Sequence, residues 1–430
     1  MWKKLLITGC VTFSLLSGGT LSAQPSCEIK EEVTSEQLDR TQKELVAMMK
    51  ELKNDSYFQT ELDKAAVQSS LSKRMAAYKD LTVRLLSVLE IQAELEWMKP
   101  EAIQEALGIM KKSSGFDAVL ADKRFGELKS LLAGGFDGIY TGDAQAIDKA
   151  NKTLTLKRKL MLMSPDVNVD KMLTVKFDLG ERANFVGAGS LGIQPNNWSN
   201  LSSASRKNFK AQLVELSGLQ SGELSEKVLY KPAVDGSSVT DLVLNWDGKR
   251  LMFTALDTTR RWQVHELDIN NGEAKQVTNI PEPDLEFFDG TYLPDGRMLA
   301  ISNIGYQGVP CVNGSDAVGN MVLYDPSNGY LRRLTFDQDA NWHPVVMANG
   351  KVMYVRWEYT DLTHYFSRIV MHMNPDGTEQ KSLYGSGSMF PNSIFDVQPL
   401  PKHTNRFVGV ISGHHGVARS GRLMIFDPAK

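Results

Sequence analysis

The chain has 430 residues, of which 42% are hydrophobic and 23% are charged, a mixture typical of globular proteins with room for two or three domains. Its formal net charge is −3, so it lacks the basic surplus that drives most binding to phosphate backbones, and we expect no nucleic-acid partner. The three cysteines are too few for a disulfide scaffold. The fold must therefore depend on its own hydrophobic core.

Residues 1–23 follow the order of a secretory signal peptide. Two lysines precede an apolar run over residues 5–16, and small residues then lead to Ala23. We predict an exported protein, periplasmic or extracellular, with cleavage after Ala23. Cys10 offers an alternative lipoprotein cleavage site, which is less favoured because it leaves a shorter apolar stretch. After the signal, no segment is apolar enough to cross a membrane.

Residues 28–163 repeat their apolar side chains at helical spacing and form a predicted α-helical domain. Thr34 and Gln37 have the spacing of a capping box that opens the first helix. A second helix is predicted from about residue 71 to 98, and Pro100 can open the next one. Further helices are expected near 118–132 and 144–163. We expect this region to serve in helix packing or in contact between identical chains. Its lack of histidine excludes a di-metal helical bundle.

From residue 168 to 430 the pattern is β, with a recurring Asp-Gly or Asn-Gly turn followed by an apolar strand. The turn glycines Gly248, Gly296 and Gly350 are roughly 50 residues apart, the length of a four-stranded propeller blade. A second, staggered turn phrase ends at Gly272, Gly329 and Gly377 and marks another hairpin per repeat. The fold class is therefore mainly β with an N-terminal α-helical region. We predict a β-propeller of about four to five four-stranded blades.

The repeats leave two alternatives for the end of the propeller. Residues 171–177 alternate as a half-buried strand should. This strand could complete the last blade and close the ring. Alternatively, further blades have been lost at the C-terminus, and the propeller is incomplete there.

Several motifs in the second half are more specific than the turn phrase. They occupy residues 288–297, 308–311, 341–344, 356–361, 364–366, 390–394 and 412–416. In these motifs the chain resembles the middle-domain family of the hydrazine synthase alpha subunit, a relative of TolB-like propellers, over about residues 160–430. The resemblance implies a propeller. Covalent c-type haem requires Cys-x-x-Cys-His, which occurs nowhere in this chain, so we expect neither c-type haem nor hydrazine synthesis.

Four polar residues fall at one repeated position in the predicted first strands. Aligning the repeats on their turn glycines brings together Asp241, Asp289 and His343, and Asp396 fits the fourth repeat. Because first strands line the channel of a propeller, these side chains are predicted to form a ring at one mouth. The ring could bind a polar ligand or a divalent metal. Alternatively, each side chain only fixes its own inter-blade loop through hydrogen bonds to the backbone.

A second candidate set combines one thiol with imidazoles from neighbouring repeats. Its members are Cys311, His343, His364 and His414. Thiolate and imidazole ligands suit zinc, although no two of these residues have the short spacing of a structural zinc site. An unreactive cysteine is the alternative. The only cofactor that the sequence suggests is therefore a divalent metal such as zinc.

Two functions remain open from the sequence. The favoured one is an exported propeller that acts as a binding or scaffold module. Its partner is expected to be a protein or a polar ligand at the propeller face, and we expect no catalytic activity in this chain alone. The alternative is a metal-dependent enzyme or redox-complex subunit that uses the channel-mouth residues. In that case Glu358, Asp361 and His364 could act as general acids and bases, although a salt-linked loop explains them equally well.

Overall fold

The computed structural model describes residues 33–165, 169–178, 206–207, 209–220, 224–310, 313–314, 316–358, 368–386, 393–401, 403–412 and 421–429. The chain divides into two compact units. One unit holds the helices together with Glu215–Glu226, and the other holds Leu173–Val214 and the chain from Lys227 onward. No helix in the described ranges is both long and apolar enough to span a membrane. The predicted signal peptide lies outside these ranges.

Among the described residues, the helical unit contains six α-helices and one 3₁₀ turn. They are α1 Ser35–Met49, α2 Ser56–Ala66, α3 Leu71–Glu96, α4 Pro100–Met110, α5 Ala118–Ala133, the 3₁₀ turn Asp137–Thr141, and α6 Ala144–Met161. The predicted capping box is confirmed, because the Gln37 backbone N–H donates to Thr34 Oγ1 at 3.2 Å and the Thr34 N–H donates to Gln37 Oε1 at 2.9 Å. As predicted, α4 begins at Pro100. Apolar side chains such as Leu45, Leu85 and Leu128 are fully buried.

Eighteen strands in the described ranges form five antiparallel sheets, which we number as blades 1 to 5. Blade 1 has β1 Lys171–Asp178, β2 Lys210–Ser217 and β3 Ser225–Tyr230; blade 2 has β4 Val239–Leu244, β5 Arg250–Leu256, β6 Trp262–Asp268 and β7 Ala274–Gln276. Blade 3 has β8 Phe287–Tyr292, β9 Met298–Ser302, β10 Asn320–Asp325 and β11 Tyr330–Arg333. Blade 4 has β12 Asn341–Val346, β13 Val352–Trp357, β14 Arg368–Met373 and β15 Lys381–Tyr384, and blade 5 has β16 Ile394–Pro399, β17 Phe407–Ile411 and β18 Arg422–Phe426. The predicted fold class, a β-propeller preceded by helices, is confirmed.

Strand β1 belongs to blade 1, where it pairs with β2. The alternative in which this strand completes the last blade is therefore wrong. In blade 5 the described strands follow the order β16, β17 and β18. Within blades 2 to 5, neighbouring strands are consecutive along the chain, which is the meander expected of a propeller blade.

The predicted turns connect the first and second strands of blades 2, 3 and 4. Gly248, Gly296 and Gly350 have φ values of 67°, 91° and 79°, a backbone region that glycine enters without steric cost. Side chains also stabilise these turns. In blade 2, for example, Asp247 Oδ1 accepts the Lys249 N–H at 2.7 Å. The recurring Asp-Gly or Asn-Gly sequence is therefore explained by the backbone geometry that these turns require.

The two edges of the blades differ in the connections that they carry. At one edge, the first and second strands, and the third and fourth strands, are joined by tight turns. At the other edge, the second and third strands of blades 3 to 5 are joined by the longer connections 303–319, 358–367 and 412–421, whereas blade 2 has only the short turn 257–261 there. We call the second edge the long-connection edge. Each first strand begins there, since its first residue pairs with the end of the second strand, as Phe287 does with Ser302.

The core of the β unit is formed where blades face one another. First strands of successive blades are in contact, β4 with β8, β8 with β12, and β12 with β16. Buried aromatic residues fill the interfaces: Trp342 and Trp357, each 1% exposed, stack with ring centroids 6.4 Å apart. This packing fixes the first strands, and with them the residues of the predicted ring.

Candidate functional site

The four predicted ring residues occupy one structural position, the third residue of the first strand in blades 2 to 5. Asp241, Asp289, His343 and Asp396 have φ values of 55°, 54°, 54° and 50°. In each blade the pairing with the second strand shifts at this point, as in a β-bulge. Aspartate and histidine enter this left-handed region more readily than most residues. The backbone geometry therefore favours the residue types found at these positions.

The aspartates of the ring link successive blades. The Asp289 backbone N–H donates to Asp241 Oδ2 at 3.0 Å, and the His343 N–H donates to Asp289 Oδ2 at 2.6 Å. Asp241 and Asp289 therefore each accept a hydrogen bond from the equivalent residue of the next blade. The alternative drawn from the sequence was that each side chain would hydrogen-bond to the backbone of its own inter-blade loop. The difference arises because the bulge turns the N–H of one blade toward the side chain of its neighbour.

His343 lies between two carboxylates. Its Nδ1 is 3.5 Å from Asp289 Oδ2, and its Nε2 is 2.9 Å from Asp396 Oδ1. Burial alone would lower the pKa of His343, but the charges of Asp289 and Asp396 outweigh burial and hold this pKa well above its ordinary value. The two carboxylates therefore favour the protonated, positively charged form of the His343 imidazole.

The remaining aspartates differ in their access to solvent. Asp241 is partly buried, and burial, with a further contribution from the Asp289 charge, raises the pKa of Asp241 to about 6. The Asp396 side chain is 44% exposed, compared with 17% for His343 and 13% for Asp289. Of these three side chains, Asp396 is therefore the one that an external polar group can contact most readily.

A metal at the ring would have to compete with these contacts. An imidazolium carries a proton on both nitrogens and has no lone pair to offer a metal ion. Within the described ranges, no group of three or more His, Cys, Asp and Glu side chains is arranged to hold a metal. The other members of the predicted metal set, Cys311, His364 and His414, lie outside those ranges. The metal hypothesis for this set stays a prediction.

The proposed acid/base residues are only partly described. Glu358 forms an ion pair with Arg356, which also lies 3.3 Å from Asp337 Oδ1. This arrangement agrees with the salt-linked loop that the sequence allowed as the alternative. Asp361 and His364 lie outside the described residues.

The described residues of the 303–319 connection of blade 3 pair as a hairpin on the long-connection edge. The Val309 N–H donates to the Asp316 carbonyl, and the Val318 N–H donates to the Gln307 carbonyl, both at 2.8 Å. Val309 and Val318 are fully buried and anchor the hairpin in the core. The described side chains of this connection are therefore presented from a hairpin that is anchored in the core.

Exposed aromatic side chains on this edge were missed from the sequence. Tyr306 is 62% exposed and Phe336 is 72% exposed. Tyr306 lies in the 303–319 connection, and Phe336 lies in the 334–340 segment that joins blade 3 to blade 4. The sequence signal that could have revealed Phe336 is an aromatic residue flanked by polar ones, in Thr335-Phe336-Asp337-Gln338.

No protein-family model matches the sequence, and no curated protein matches it. Among solved structures, the chain is similar to hydrazine synthase from Kuenenia stuttgartiensis, at 15% identity and a TM-score of 0.46, over 61% of this chain and 38% of that chain. It is also similar to TolB from Acinetobacter baumannii, at 18% identity and a TM-score of 0.33, over 50% of each chain. The chain spans about two fifths of the hydrazine synthase chain and half of the TolB chain.

Proposed function

We propose that the chain is an exported β-propeller that acts as a binding or scaffold module, with a protein partner on its long-connection edge. The observation that carries the proposal is the asymmetry of blades 3 to 5, in which one edge has tight turns and the other has longer connections between the second and third strands. Loops held by a rigid scaffold are the usual place for binding residues. The signal-like N-terminal sequence supports export, and the helical region is proposed to mediate assembly, including self-association.

The ring at the channel mouth is proposed to support this module structurally. Its carboxylates accept hydrogen bonds from neighbouring blades, and His343 bridges two of them. A polar ligand at the mouth would approach through Asp396. The motif resemblance to the hydrazine synthase alpha subunit supports only the propeller, and we propose no c-type haem because the sequence lacks Cys-x-x-Cys-His. A metal-dependent activity is not favoured by the ring, because both ring nitrogens of His343 already face carboxylate oxygens of Asp289 and Asp396.

The proposal is tested by placing a photo-activated cross-linking amino acid at one edge at a time. Tyr306 on the long-connection edge is compared with Tyr330, which is 52% exposed and follows a tight turn at the opposite edge. In the organism that makes the protein, we expect discrete protein adducts from position 306 and none from position 330. Adducts from position 330 alone, equal adducts from both, or no adduct from either position would contradict the proposal.

A further inference from the structure

Arg333, the last residue of β11, is held in place by neutral groups. Its Nε donates to the Thr335 carbonyl at 2.9 Å, and its Nη2 donates to Gln307 Oε1 at 3.4 Å. The guanidinium carbon lies 4.7 Å from the centroid of the Phe336 ring. A Cβ placed on Gly305 would be 3.2 Å from Nη2, so the backbone of the 303–319 connection lies directly beside the guanidinium. Arg333 is therefore positioned before any ligand arrives.

The charge of Arg333 is not compensated within the described part of the chain. Its contacts there are a carbonyl, an amide oxygen and an aromatic ring, with no carboxylate among them. The nearest acidic residue in sequence, Asp337, instead pairs with Arg356 at 3.3 Å and accepts from Asn341 Nδ2 at 3.2 Å.

Three other arginines of the β unit differ from Arg333 in this respect. Arg250, Arg297 and Arg406 each have an aspartate oxygen within 3.0 Å. Arg333 is partly buried yet has no such partner. A partly desolvated cation without an anion is unfavourable, and it becomes favourable when an anionic group binds.

One exposed aromatic side chain contacts this cation, and a second lies one residue from its hydrogen-bond partner Gln307. Phe336 packs against the guanidinium and is 72% exposed, and Tyr306 precedes Gln307 and is 62% exposed. Aromatic residues and arginine are the types enriched at the energetic centres of protein interfaces. An occupant of this surface needs both a carboxylate and an apolar side chain, and an inorganic anion supplies only the charge.

We propose that Arg333, Phe336 and Tyr306 form a docking site for an acidic peptide segment of a protein partner. A carboxylate of that segment pairs with Arg333, for which the planar guanidinium permits two parallel hydrogen bonds. An apolar side chain of the segment packs on Phe336. This inference rests on the proposed function, because it specifies the partner chemistry for the long-connection edge.

The test uses a phage-displayed library of random heptapeptides selected on the immobilised full chain. Enriched peptides are synthesised with a fluorescein label, and their affinities are measured by fluorescence anisotropy. We expect peptides with Asp or Glu close to Leu, Ile or an aromatic residue. Arg333→Gln and Phe336→Ser should each weaken binding about tenfold or more, which is about 1.4 kcal/mol or more. Arg297→Gln, which changes an exposed arginine at the opposite edge, should leave the affinity unchanged.

Several outcomes would overturn the docking site. These are the absence of any enriched peptide family, enriched peptides without carboxylates, and equal affinities for the Arg333→Gln variant and the unchanged protein. Displacement of the peptide by inorganic phosphate at low concentration would indicate a simple anion site instead and would also overturn it. Melting curves confirm that the variants are folded. Adducts from position 306 together with an unaffected Arg333→Gln variant would reject this site while leaving the proposed function intact.

Discussion

The ring residues show how one backbone position can dictate residue type. Each lies at positive φ within a bulge, where aspartate and histidine are tolerated. Three of the four are aspartates, and the fourth, His343, separates Asp289 from Asp396 with a positive charge. A fourth aspartate in place of His343 would put like charges next to one another, and the imidazolium avoids this repulsion.

We predict that His343→Asn destabilises the propeller and that the loss depends on pH. Asparagine tolerates the positive φ but cannot carry charge, so the loss should be about 1–3 kcal/mol at pH 6. The folded-state pKa of His343 is raised, so its stabilisation is fully present below about pH 6.5, its unfolded value, and is lost as pH rises through the folded pKa. Urea unfolding at pH 6 and pH 9.5 measures the difference. His403→Asn, at an exposed histidine, is the control, and an equal effect of both variants would contradict this role.

We predict the opposite sign for Asp241→Asn. The asparagine carbonyl oxygen can still accept the Asp289 N–H, and the cost of a poorly solvated carboxylate disappears. Because the pKa of Asp241 is raised to about 6, the ionised aspartate opposes folding above that pH. The variant should gain about 1–3 kcal/mol at pH 8 and nothing below about pH 4.

Asp295→Asn is the matched control for Asp241→Asn. The hydrogen bond from Arg297 lowers the pKa of Asp295, so this carboxylate stabilises the fold above its unfolded pKa and ceases to do so as pH falls. Asp295→Asn should therefore reduce stability at pH 8. If thermal melting shows Asp241→Asn to be destabilised at pH 8, burial is not the dominant influence on Asp241.

The sequence predicted the ring because repeated turns place equivalent residues in register. The turn glycines were sufficient to align Asp241, Asp289 and His343. The partners of the carboxylates were not predictable, because the N–H of Asp289 reaches Asp241 only after two blades have packed. Arg333 was missed for a related reason: its distinguishing property is the absence of a nearby carboxylate in three dimensions.

At the scale of elements, the sequence predicted the helices that have strong local signals and missed the helix whose signals are weak. Helices α3 and α4 were separated correctly because Pro100 removes an N–H and restricts the residue before it. Helix α2 was missed, since Asp55 makes no side-chain cap and only Phe58, Leu62 and Ala65 are buried. Its stability comes from packing against α3, which the local sequence does not display.

We predict that Gly308→Ala disrupts the hairpin in the 303–319 connection. An added Cβ would lie 2.5 Å from Gly314 Cα, and backbone atoms cannot yield as a flexible side chain can. The cost should be about 1–3 kcal/mol, with faster amide exchange at Val309 and Val318. Gly126→Ala in α5 is the control, because its Cβ would meet nothing within 4 Å and it should gain about 1 kcal/mol. Unchanged exchange in Gly308→Ala would show that the close approach is absent.

At the scale of the whole molecule, the helical unit is predicted to fold by itself. Side chains such as Leu45, Leu85 and Leu128 are buried within it, and its helices contact one another in pairs such as α1 with α3 and α5 with α6. A fragment of residues 28–163 should therefore give a helical circular dichroism spectrum and a cooperative melt. A disordered fragment would contradict the assignment of this region as a domain.

The central claim is that the long-connection edge of the propeller binds a protein partner. The most direct measurement is hydrogen–deuterium exchange of the full chain, alone and in complex with the partner recovered by cross-linking from position 306. We predict that the partner slows exchange in residues 303–310 and 334–340 and leaves the opposite-edge turns 245–249 and 326–329 unchanged. Slower exchange confined to those opposite-edge turns, or no change at either edge, would contradict the claim.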